Sequence, residues 1–176
     1  MSNQEPSLAQ LLTRDADGNV DEVVGQVMMD PTRIRELVQV MRGGKDPIIR
    51  VRAAEAVEKI SRFSESNVQA LSGVLLELSD ADEMEIRWHV AQMIPRMVLE
   101  GENYTAAVDT LYNYLEDSSA LVRVSAITSL GDLAFRDPDL KHNVRPLVEE
   151  LAKTGSPSVR ARCRKILKSF DGDSEN

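Results

Sequence analysis

The sequence predicts an all-α superhelix of about four stacked helix pairs behind an N-terminal capping helix. Three observations lead there. Four pairs of a β-branched residue and an arginine, Ile49-Arg50, Ile86-Arg87, Val122-Arg123 and Val159-Arg160, stand 37, 36 and 37 residues apart. Each opens a similar segment: IRVRAAEAVEKI, IRWHVAQMIPRM, VRVSAITSLGDL and VRARCRKILKSF. Upstream of each pair lies a second apolar set at helical spacing: Ile34, Leu37, Val38, Met41; Leu71, Val74, Leu75, Leu78; Val108, Leu111, Tyr112, Leu115; and Val144, Leu147, Val148, Leu151. Self-similarity at a period of about 35–40 residues, with two helices per unit, is the signature of an α-solenoid.

Taken in order, residues 1–6 are expected to be disordered and 7–29 to cap the first repeat, because a solenoid end otherwise exposes apolar surface. Val20, Val23, Val24, Val27 and Met28 follow helical spacing from about Asn19 to Met29, and LAQLL at 8–12 adds a turn or two. The repeats fall at about 30–63, 64–100, 101–136 and 137–170, all within one domain spanning 7–170, and the acidic tail 171–176 is expected to be disordered. The helix pairs run roughly 31–42 with 47–62, 65–79 with 83–99, 103–116 with 119–135, and 138–154 with 157–170. Asp30-Pro31, Asp46-Pro47 and Ser156-Pro157 are N-caps followed by proline at the first helical position. Ser119 holds the equivalent place in the third repeat and Asp82 in the second. Breaks fall at Gly43-Gly44, around Ser64, at Gly101, at Asp137-Pro138 and at Gly155.

Counting each second helix from its β-branched residue as position zero, positions 4, 8 and 11 share its face. They are Ala53, Val57, Ile60; Val90, Ile94, Met97; Ala126, Leu130, Leu133; and Cys163, Leu167, Phe170. Cys163 occupies a slot that is alanine in two repeats, so it reads as a core residue rather than a reactive thiol. Pro95, at position 9, is expected to bend its helix.

Composition narrows the function. The chain of 176 residues is 42% apolar and 28% charged, with few aromatics. No apolar run approaches the length of a membrane span, and MSNQEPSLAQ has neither the basic nor the apolar region of a secretory signal. One cysteine rules out an internal disulfide framework. A cytoplasmic protein is the expectation. The net charge of −8 is uneven: 64–140 carries fourteen acids and four bases, whereas 141–168 carries two acids and eight bases. An acidic balance opposes non-specific nucleic-acid binding, with the last repeat as a local exception.

The (Ile/Val)-Arg opening, with Ala at position 4 and Leu or Ile at 8 and 11 after an Asp-Pro or Ser-Pro turn, resembles the HEAT repeat over roughly 31–170. More narrowly, IRVRAAEAVEKISR and IRWHVAQMIPRM look like a group of short bacterial HEAT-repeat proteins, a likeness that implies no particular activity. The wider resemblance implies a scaffold or recognition surface for proteins, a few lineages being specialised for damaged DNA or bilin attachment. It also implies that Arg50, Arg87, Arg123 and Arg160 reach turn acids of neighbouring units, with Asp46, Glu83 and Asp117 as candidates. Such a ladder is the simpler reading of these arginines, and ligand binding the alternative.

In a HEAT solenoid the second helices line the concave surface. The candidate partner-binding ridge is then Val51, Arg52, Glu55, Trp88, His89, Gln92 and Val124, with Trp88, the single tryptophan, as anchor. His89 beside it invites a catalytic reading, but the sequence has no HExxH, no Cys/His cluster and no glycine-rich phosphate loop. No metal, cofactor or catalytic group is therefore expected. The acids Asp80, Asp82, Glu83 and Glu85 read as a solvated helix entrance. A non-enzymatic scaffold docking a peptide or partner protein is the leading expectation. Alternatives are nucleic-acid or DNA-lesion recognition through Arg160, Arg162, Arg164, Lys165 and Lys168, a bilin-lyase-like role on fold resemblance alone, and salt-sensitive self-association between the acidic middle and the basic last repeat.

Overall fold

The structure, a computed structural model of the chain, describes residues 6–13, 19–63, 72–97 and 99–172. Residues 1–5, 173–176, Leu71 and the expected break near Ser64 lie outside the described residues. Among these, ten α-helices run α1 (Leu8–Leu12), α2 (Val20–Met29), α3 (Ile34–Gly43), α4 (Pro47–Phe63), α5 (Ser72–Glu77), α6 (Met84–Met93), α7 (Gly101–Tyr114), α8 (Ala120–Arg136), α9 (Pro138–Thr154) and α10 (Pro157–Gly172). Short 3₁₀ turns occupy Pro31–Arg33, Leu78–Asp80 and Ile94–Arg96, and no strand occurs among the described residues. The chain forms two compact units, Met1–Leu99 and Glu100–Asn176.

In the first unit α4 is the organising helix, packed against α2, α3 and α6. Asp46 Oδ1 caps its start, accepting from Ile48 N at 2.9 Å. The loop before it needs Gly44, because a Cβ there would lie 2.6 Å from the Val40 carbonyl oxygen. The cap is a short α1 and a longer α2. Ser7 and Gln10 form a reciprocal capping box at α1, and Leu8, Leu11 and Leu12 are fully buried. Leu8 N donates to Glu36 Oε1 at 2.6 Å, and Arg33 reaches the Pro6 carbonyl and Glu36, which ties the segment to α3. Pro6 is therefore held, at the edge of the stretch expected to be disordered.

Two expectations for the second repeat are corrected. Pro95 ends α6 rather than bending it: the helix stops at Met93 and Ile94–Arg96 tightens into a 3₁₀ turn. Proline has no N–H for the i−4 carbonyl and its ring clashes there. At the other end Asp82 does not cap α6. Glu83 takes the N-cap position with no side-chain hydrogen bond to the helix.

The second unit packs α7 against α8, and α9 and α10 against α8 and each other. Ser119 caps α8 through Leu121 N, and Asp137 caps α9 through Asp139 N and Leu140 N. Asp137 also accepts from Tyr104 Oη at 2.5 Å, joining α7 to the same turn. Burial and this bond push the Tyr104 hydroxyl up to about 12. The apolar face of α7 is turned from the expected one: Ala107, Leu111 and Tyr114 are buried, whereas Val108, Tyr112 and Leu115 are half-buried. An i, i+4, i+7 row still faces inward, one residue out of register. α10 continues to Gly172, so residues 171 and 172 are helical rather than part of the tail.

Two of the second helices, α4 and α8, are buried on two sides. Positions 0, 4, 8 and 11 form the core as expected, with Ile49 and Leu167 only half-buried. Positions 5, 9 and 12 form a second buried face: Ala54, Glu58 and Ser61 on α4, and Ile127, Gly131 and Ala134 on α8. It meets the next second helix in the same unit. Glu58 bonds Arg96 just beyond α6, and a Cβ on Gly131 would lie 2.9 Å from the Ile166 side chain on α10. From the following helix, positions 3 and 7 return the contact.

Candidate functional site

That second buried face decides which ridge residues are available. Val51, Glu55, Trp88 and Gln92 stand half-exposed on α4 and α6 in the first unit, and Val124 on α8 in the second. Positions 2 and 6 thus point outward as expected. Position 3 does not. Arg52 Nη1 donates to the Leu12 carbonyl at 2.7 Å, satisfying the end of α1. His89 is only 6% exposed. A residue at position 3 lies about 100° from position 2 around the helix, which turns it into the seam with the preceding helix. Arg52 and His89 are inter-helix contacts, and their place in the ridge is withdrawn.

The exposed row around Trp88 is built by short-range interactions. The indole ring packs on the His89 ring with centroids 4.8 Å apart, tilted by 32°, and Gln92 Nε2 donates to the Trp88 carbonyl at 3.3 Å. His89 therefore acts as a floor under Trp88. On α4, Glu55 pairs with Lys59 at 3.0 Å, and Lys59 reaches Asp21 of α2 at 2.8 Å. The row is thus an apolar and aromatic strip rimmed by paired charges, not an array of free catalytic groups.

Beneath it lies a polar cluster that the sequence reading missed. Glu58 is 1% exposed and carries two ion pairs, to Arg62 at 2.7 Å and to Arg96 at 2.8 Å. Arg96 Nη1 also donates to Ser61 Oγ at 2.7 Å, and Ser61 Oγ donates to the Glu58 carbonyl. Burial alone raises the Glu58 carboxyl, but the bonds from Arg62 and Arg96 outweigh it and hold the group below the ordinary carboxylate range. Burial lowers His89, and the nearby acids Glu58 and Glu55 oppose that without prevailing. His89 Nδ1 and Glu83 Oε2 are buried without a hydrogen-bond partner among the described residues. The available signal was position 9, where Glu58 replaces the Pro95 and Gly131 of its counterparts between small residues at 5 and 12.

Arg50 forms a rung of the expected arginine ladder. Arg50 Nη1 meets Glu83 Oε1 of the next helix pair at 2.7 Å, while its Nε donates to the Met41 carbonyl. Arg87 donates to the Ala81 and Asp82 carbonyls, and Arg123 to those of Asp117 and Ser118, all in their own turns. Cys163 is buried, and burial raises its thiol. Among the described residues no group of three or more His, Cys, Asp or Glu side chains converges as a metal site. No helix among them is long and apolar enough to cross a membrane.

No protein-family model matches the chain, and no curated protein does. Solved structures do. A chain of the CpcE–CpcF complex of phycocyanin lyase from Nostoc sp. PCC7120 superposes with a TM-score of 0.71 at 20% identity, covering 92% of this chain and 96% of that one. A designed armadillo repeat protein in complex with the peptide (KR)4 gives 0.63 at 17% identity, covering 93% and 80%. Computationally designed armadillo repeat proteins for modular peptide recognition give 0.61 at 18%, covering 92% and 80%. At these identities the likeness establishes the architecture alone: the chain has the fold of armadillo/HEAT-like helical repeat proteins.

Proposed function

We propose that this protein is a non-enzymatic scaffold of HEAT repeats that docks a peptide or helix of a partner protein on the outward row of α4 and α6 in its first unit. Two helices per unit favour HEAT over the three-helix armadillo unit. The observation that carries the reading is Trp88, half-exposed and packed on the buried His89 ring, with Gln92 bonded to its carbonyl. A large, rigid, amphipathic ring with a pre-ordered base is the usual anchor of a protein interface. The same fold recurs in the designed protein that holds (KR)4. Against an enzymatic role, His89 is buried against Trp88. A lyase-like role is the runner-up, favoured only by the likeness to the phycocyanin lyase complex. The cytoplasm is the proposed compartment, in keeping with a single cysteine that is buried and unpaired.

The test is quantitative capture of partners from native lysate by the wild type and by Trp88→Ala, with circular dichroism confirming that helicity is unchanged. A partner kept by the wild type and lost by the variant supports the reading. An identical set of partners for both places the site elsewhere.

A further inference from the structure

The second unit carries a surface of different chemistry. On α8 the outward column holds Leu121, Val124, Thr128 and Phe135, with Leu121 52% and Phe135 48% exposed. They sit at i, i+3, i+7 and i+14, one side of a helix, and span about 21 Å at 1.5 Å per residue. Single exposed apolar residues are ordinary; three apolar residues on one face across four turns, with Thr128 among them, fit the footprint of an amphipathic helix.

Beside this column lies α10. Gly131 lets α8 and α10 approach closely, so the outward positions of the two helices flank one another. On α10 those positions are Ala161 and Lys165, both exposed, whereas Arg162 at position 3 is half-buried on the side of the seam with α8. Arg164 and Lys168 stand next to them at positions 5 and 9. On α8 the same two positions are Ile127 and Gly131, buried against α10; on α10 both are exposed and basic. Arg160, Arg162, Arg164, Lys165 and Lys168 oppose a single acid of α10, Asp171, which is paired with Arg145 of α9. None of the five enters an ion pair among the described residues.

We propose that the outward faces of α8 and α10 dock an acidic amphipathic helix of a partner protein. Its apolar side covers Leu121, Val124 and Phe135, and its carboxylates meet Lys165, Arg164 and Lys168. About four turns of partner helix match the length of the column. Charge complementarity selects an acidic partner, and the apolar column selects a helix over a nucleic-acid backbone, which offers no aliphatic face to Leu121 and Phe135. Opposite charges at the rim act mainly on partner choice and encounter rate, and the apolar contacts set the dissociation rate. The inference shares the scaffold class of the proposed function but not its site, since Trp88 belongs to the first unit.

The test is fluorescence anisotropy with the full chain and a labelled 15-residue helical peptide that has leucine on one face and glutamate on the other. The same peptide with lysine for glutamate, and a 20-base-pair duplex, serve as comparison probes. The acidic peptide should bind, weaken at least tenfold for Leu121→Ala/Phe135→Ala and for Arg164→Glu/Lys165→Glu, and weaken with added salt. These side chains are exposed or half-exposed, and circular dichroism verifies that the variants fold. Binding unchanged by both double variants, or no preference for the acidic over the basic peptide, overturns the proposal. Binding of the duplex in place of the peptide also overturns it, in favour of a nucleic-acid surface. Trp88→Ala separates the two sites: it should leave the acidic peptide bound even if partner capture through Trp88 fails.

Discussion

Replacing Gly131 by alanine adds one methyl group where α8 and α10 lie closest, and the structure fixes the sign of the effect. The new Cβ would stand 2.9 Å from both Cδ1 and Cγ1 of Ile166 and 3.0 Å from Cγ2. Those atoms belong to a branched side chain that is itself buried, so α10 must shift or Ile166 must leave its rotamer. Overpacking of this kind costs about 1–3 kcal/mol, against a helix-propensity gain of about 0.5–1 kcal/mol for removing a mid-helix glycine. The net is a loss of about 1 kcal/mol, or roughly 3 °C in Tm for a chain of this size. Gly25, inside α2 with nothing within 4 Å of its added Cβ, is the control: Gly25→Ala should stabilise by about 0.5–1 kcal/mol. Ile166→Ala removes all three clashing atoms, so in that background Gly131→Ala should turn neutral or stabilising. Urea unfolding of the four proteins of the cycle measures the coupling. Stabilisation by Gly131→Ala in the wild-type background would refute the close packing of α8 on α10.

Other perturbations read other joints of the structure. His89 is buried neutral with its proton affinity lowered, so its contribution is complete above the unfolded imidazole value of about 6.5 and is lost as pH falls through the lower folded value. Unfolding followed from pH 7 to 5 should show declining stability that His89→Phe flattens. The depressed Glu58 carboxyl contributes fully above about pH 4.5, where the unfolded group ionises, and that contribution is lost on further acidification. At neutral pH Glu58→Gln should destabilise by about 1–3 kcal/mol, since it leaves Arg96 and Arg62 without a charge partner. Asp137→Ala removes the α9 cap and should cost about 1–2 kcal/mol in urea unfolding. In the same variant, absorbance titration should find the Tyr104 hydroxyl ionising below its wild-type value of about 12.

The periodic parts of this chain were legible. Helix limits from Pro47 to Phe63 and from Pro138 to Thr154 follow from Asp-Pro caps and terminal glycine or apolar spacing, signals that act within one turn of chain. Positions 0, 4, 8 and 11 were legible because one face of each second helix repeats the same burial. The second buried face was not, because its members differ in chemistry from repeat to repeat: Glu58 and Ser61 on α4, Gly131 and Ala134 on α8. No apolar period announces such a seam, and it moved Arg52 and His89 out of the ridge. Pro95 was read as a bend because proline signals interruption without saying whether the helix resumes. The row of Val51, Trp88 and Gln92 survives because positions 2 and 6 lie away from both buried faces.

Trp88 is the single tryptophan of the chain, so its emission reports on the proposed site and nothing else. The most direct measurement is its fluorescence and acrylamide quenching, free and with the captured partner at saturating concentration. The account predicts a quenchable indole in the free protein that turns blue-shifted and protected when the partner binds. A partner shown by co-elution to be bound while Trp88 emission and quenching stay the same would contradict the central claim.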